Sequence, residues 1–192
     1  MSPISASITL IGLWDSRIFN QQLISSSILD KDDHDQPETR FHLETNQHAL
    51  QIGKILFAPH ANSIEIAIEE PSEYWIKKAT RIVIKCIQVF SVIPKVGTVF
   101  NITYDKIKMP DLNGVTVFEY PDDFDLTMIT LSKVSKNYNV FLRVARNPHN
   151  EFLNFNYSYE YRNNKISESS FFENINESKE SLQKWITALQ SI

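Results

Sequence analysis

Alternation of apolar and polar residues with a period of two recurs along most of this chain, the pattern of an extended strand with one covered face. Ile4, Ala6, Ile8 and Leu10 interleave with Ser5, Ser7 and Thr9. Thr39, Phe41 and Leu43 form a second pattern, the mostly apolar stretch 50–57 a third, and Ile64, Ile66 and Ile68 a fourth, set against Ser63, Glu65, Ala67 and Glu69. A long strand over 96–107 follows, then strands over 126–134, 139–146 and 152–161. Asn46-Gln47, Pro59-His60-Ala61-Asn62, Lys136-Asn137 and Asn147-Pro148-His149-Asn150 mark turns between them. One-sided strands joined by short turns imply an antiparallel sheet.

Two stretches switch to helical spacing. Pro71 and Ser72 open a helix in which Trp75, Ile76, Ala79, Ile82, Val83, Cys86, Ile87 and Phe90 recur at three and four residues, ending before Pro94. Ser170 and Glu173 have the spacing of a capping box, ahead of a terminal helix whose stripe is Phe172, Ile175, Leu182, Trp185, Ile186 and Leu189. A short helix is expected after Asp15-Ser16, using Ile18, Phe19, Leu23 and Ile24. The acidic run from Asp30 to Pro37 has nothing apolar to bury and reads as an exposed loop, and 109–125 reads as irregular.

In order, residues 4–91 read β, short α, β, β, β, α, and 96–191 read β, irregular, β, β, β, α. Two β-α-β-β-β-α-like halves joined edge to edge give one curved antiparallel sheet with two main helices on one face, an α+β fold. A chain of 192 residues is of single-domain size, so 1–192 is read as one domain with pseudo-repeat halves 4–91 and 96–191. This element order resembles the duplicated saddle of TATA-binding-protein-like folds and, more loosely, the helix-grip fold. The resemblance is one of topology, and a shared fold carries no function with it.

Several chemistries lack their residues. The four glycines, Gly12, Gly53, Gly97 and Gly114, are isolated, so neither a Walker loop nor a dinucleotide fingerprint exists. Cys86, the single cysteine, closes no internal disulfide and lies on an apolar helix stripe, where a structural thiol is expected in a cytoplasmic protein. Five histidines lack zinc-site spacing, and Asp32, Asp33, His34 and Asp35 lack the glycine turn and distant glutamate of a calcium loop. No cofactor, no metal and no membrane span is expected. A net charge of -4 makes nucleic acid an unlikely partner.

Two features ask for a reason. Lys77, Arg81 and Lys85 repeat on one helix face beside Lys78, and like charges at that spacing repel unless acids such as Glu73 or an anionic partner offset them. Tyr157, Tyr159 and Tyr161 share a strand face with Leu153 and Phe155, suited to packing beneath a helix, to a ligand pocket or to a partner interface. The leading expectation is a non-catalytic protein-interaction module of immunity, antitoxin, inhibitor or adaptor type, using the sheet face or the basic helix face. The alternatives are a binder of an apolar or aromatic ligand between sheet and C-terminal helix, and an enzyme whose site the sequence does not reveal. Homodimerisation through open sheet edges is compatible with each.

Overall fold

A computed structural model of the chain describes residues 2–13, 19–29, 35–42, 47–90, 95–108, 128–146, 152–162 and 166–190. The alternating stretches become nine strands: β1 (Ser5–Gly12), β2 (Glu38–His42), β3 (Gln47–Ile52), β4 (Ile55–Pro59), β5 (Ser63–Ile68), β6 (Lys95–Lys108), β7 (Met128–Val134), β8 (Tyr138–Arg146) and β9 (Phe152–Arg162). All pair antiparallel into one open sheet of order β2-β3-β4-β5-β1-β6-β9-β8-β7. β1 and β6 pair at the centre; after each of them the chain crosses to an outer edge, at β2 and at β7, and the following strands run inward as a meander.

The stretch 50–57 is two strands rather than the single one expected. Gly53 takes φ 57°, the left-handed conformation a tight hairpin needs, and turns the chain between Ile52 and Ile55. An added Cβ there would lie 2.3 Å from the Trp75 ring, so the position also requires the absence of a side chain. Residues 4–91 therefore carry one strand more than expected.

Helix α2 (Glu73–Val89) starts where expected, the Ser72 hydroxyl accepting from Trp75 N at 3.4 Å. Helix α3 (Ser170–Gln190) starts differently: the Ser170 hydroxyl turns back to accept from Ser167 N at 2.9 Å, and Glu173 N donates to the Ser169 carbonyl. Phe171, not Phe172, is its fully buried aromatic. The short helix α1 (Gln21–Leu23) is capped by the Asn20 side chain and runs into a π turn over Ile24–Ile28. The Asp15-Ser16 cap, Asp30 to His34 and the irregular 109–125 lie outside the described residues.

Register places Ile8 opposite Ile66 and Phe100, and Phe100 opposite Tyr159, so the apolar sets of the central strands share one face. Against that face α2 packs on β1 and β5, α3 packs on β6 and β9, and the helices touch each other. Ile76, Ala79, Ile82, Val83 and Cys86 of α2 and Phe171, Ile175 and Leu182 of α3 join the sheet residues in one core. No described helix is long and apolar enough to cross a membrane.

Candidate functional site

The tyrosine row belongs to the core. Tyr157, Tyr159 and Tyr161 are 2 %, 1 % and 4 % exposed and lie beneath α3. Two residues along a strand advance roughly 6.7 Å and four along a helix about 6 Å, so a row of hydroxyls at strand spacing meets small polar groups at helix spacing. Tyr161 donates to the Ser170 carbonyl at 3.4 Å and accepts from the Asn174 amide. Tyr159 donates to the Asn174 carbonyl at 3.0 Å, and Tyr157 to the Ser181 hydroxyl at 3.1 Å. Ser178 gives its proton to the Ile175 carbonyl and so accepts from Tyr104, 2.7 Å away.

Burial is the main reason these phenols are weak acids. It pushes Tyr157 up to about 12, with the Ser181 hydrogen bond opposing, and pushes Tyr159 and Tyr161 well above the ordinary tyrosine value. At the edge of the cluster Tyr138 is raised to about 12 by desolvation and by donating to Glu177 at 2.8 Å. These tyrosines stay neutral, serving as packed hydrogen-bond donors. Because rings, Phe171, Ile175 and Leu182 fill the interval between sheet and α3, the tyrosine row presents neither an open surface nor a ligand chamber there.

The basic helix face is engaged within the chain. Lys77 pairs with Glu73 at 2.6 Å and stands 5.9 Å over the Phe172 ring. Arg81 lies 4.0 Å from Glu168, at the foot of α3. Lys85 is half-buried and likewise has an interaction inside the protein. Lys78 is 8 % exposed, bonded to Asp35 at 2.6 Å and set against Trp75. Asp35, from the run expected to be an exposed loop, is thus tied down by a buried cation that needs a counter-charge.

Among the described residues, no helix packs on the other face of the sheet. A groove of about 770 Å³ is lined by residues of β4, β5, β1, β6, β9, β8 and β7. The two faces of the sheet differ in side-chain size. Across one register line the groove face carries Leu56, Ala67, Ser7, Asn101, Ser158, Phe141 and Ser132, five of them small or short polar residues. The opposite face carries Phe57, Phe100, Tyr104, Phe155, Tyr157 and Tyr159. Large side chains thus lie on one side of the sheet and small groups on the other, and the pairing of β6 with β9 has a register shift between Tyr104 and Ile107.

Charge in the groove is sparse and one-sided. A second register line holds Glu65, Thr9, Val99 and Glu160, and a third holds Ser5, Thr103, Asn156, Arg143 and Thr130. With Glu69, three carboxylates face one guanidinium. Glu65, Glu160 and Arg143 form no ion pair among the described residues. Asn156 donates to the Thr103 hydroxyl at 3.3 Å. No group of three metal-ligating side chains occurs among the described residues.

The sequence reading named the sheet face only as a whole and singled out none of these residues. The signal was present in the polar partners of each alternating strand, Ser5, Ser7, Asn101, Asn156 and Ser158, whose small size and neutrality differ from an ordinary solvated face. No family model matches the chain, and no curated protein is significantly similar to it.

Proposed function

We propose that the chain is a non-catalytic protein-interaction module that engages its partner through the groove face of the curved sheet. One observation carries this reading. A face of seven adjoining strands forms a groove of about 770 Å³ with short polar side chains and charges that form no ion pair among the described residues, while Lys77, Lys78 and Arg81 of α2 each lie against one of the protein's own acids. A surface with unengaged hydrogen-bonding groups and little side-chain entropy to lose suits binding better than a surface already neutralised. An immunity, inhibitor or adaptor role, in which binding is the whole activity, fits such a groove. The two meanders, each running inward from a sheet edge toward the central pair β1 and β6, support reading the chain as two related halves that build the groove jointly.

The test compares blocked variants in pull-downs from cells of the source organism. Ser158→Arg together with Ser7→Arg fills the groove floor, whereas Arg81→Ala together with Lys85→Ala strips the helix face. The groove reading expects the same captured proteins with wild type and the helix variant, and their loss with the groove variant. Loss with the helix variant and retention with the groove variant would overturn it.

A further inference from the structure

Resting on the groove as the binding face, we infer that its occupant is an extended, basic protein segment carrying two cationic side chains about four residues apart. Glu65 on β5 and Glu160 on β9 lie on one register line through Thr9 and Val99. Three strand spacings separate them, about 14 Å along the sheet. An extended chain covers that span in about four residues, and residues four apart in a strand point the same way, so both cations reach the groove together. Glu69 adds a third carboxylate at the rim.

Between the two glutamates the floor is short and uncharged, with Ser7 and Asn101 on the adjoining line, so a backbone lying across it finds hydroxyl and amide partners without meeting a bulky side chain. Arg143, two strands beyond the centre, sets the polarity by accepting an acidic group at one end of the segment. The same charges disfavour a nucleic-acid strand, because a phosphate backbone would meet three carboxylates and one guanidinium. Complementarity of charge therefore selects a basic protein segment over a nucleic-acid strand.

Fluorescence anisotropy with labelled nona-arginine, nona-glutamate and a single-stranded oligodeoxynucleotide tests this on the full chain. Nona-arginine is expected to bind, and Glu65→Gln with Glu160→Gln to weaken it roughly tenfold. Glu173→Gln with Glu180→Gln, the same charge change on α3, is expected to leave it within about twofold. Equal weakening by both pairs, no binding of nona-arginine, or preference for the oligodeoxynucleotide or nona-glutamate would overturn the inference. Glutamine is isosteric and these sites are on the surface, so circular dichroism is expected to show both variants folded. If nona-arginine does not bind while the Ser7→Arg, Ser158→Arg variant still loses its captured proteins, the basic occupant falls and the groove reading stands. If that variant also retains them, the groove reading falls as well.

Discussion

The two faces of the sheet are made by the same strands and differ by one residue in register, yet they have opposite chemistry. On β9, Tyr157, Tyr159 and Tyr161 point into the helix-covered core with their hydroxyls bonded, whereas Asn156, Ser158 and Glu160 line an open groove. The covered face closes by pairing of large side chains with a helix; the open face carries short polar groups and a few charges. The aromatic row, conspicuous in the sequence, is thus a feature that folding uses.

The contrast is sharpest between adjacent residues. Tyr159→Ala removes a fully buried ring and leaves the Asn174 carbonyl without its donor, with an expected cost of about 3–5 kcal/mol in urea unfolding. Ser158→Ala, one residue away, is expected to change stability by less than about 0.5 kcal/mol. Similar losses at both positions would break the distinction between the faces.

The covered side is also closed by charge. Asp35→Ala takes one carboxylate away from the largely buried Lys78, with an expected loss of about 1–3 kcal/mol, and adding Lys78→Met is expected to recover part of it. A third test removes the hydrogen-bond acceptor of Tyr104: Ser178→Ala is expected to cost about 1–2 kcal/mol.

Alkaline pH probes the same cluster. The folded pKa of Tyr157 is raised from 10.0 to about 12, so between these values the native state holds a proton that the unfolded chain has released. Its stabilisation is fully present below pH 10 and declines as pH rises toward 12. A Tm measured against pH should fall through that window, and less steeply in Tyr157→Phe. Smallest of all, Lys77→Ala or Arg81→Ala is expected to shift stability by less than about 0.5 kcal/mol, since their partners are exposed.

Much of the architecture was legible because periodicity is local. The span of β6, the α2 stripe with its Ser72 cap and the α+β class follow from spacing alone. The extra strand was not, because 50–57 is apolar nearly throughout and its break rests on the conformation of Gly53, with the ring of Trp75 lying against it. The start of α3 differed because Ser170 found a nearer partner in Ser167. Tyr157, Tyr159 and Tyr161 were visible as a row, but their matching with Ser170, Asn174 and Ser181 depends on how α3 crosses β9. The groove was hidden for a related reason: its residues come from seven strands and are unremarkable one at a time.

The central claim is that partners meet the groove face and not the helix face. It is tested most directly by site-specific photocrosslinking, for which the buried Cys86 leaves a quiet background. A benzophenone placed at Ser158→Cys in the groove and, separately, at Thr187→Cys on α3 is exposed to lysate of the source cells and irradiated. The account predicts a discrete crosslinked protein at position 158, competed away by unlabelled wild type, and none at 187. A competed crosslink at 187 with none at 158 would contradict it.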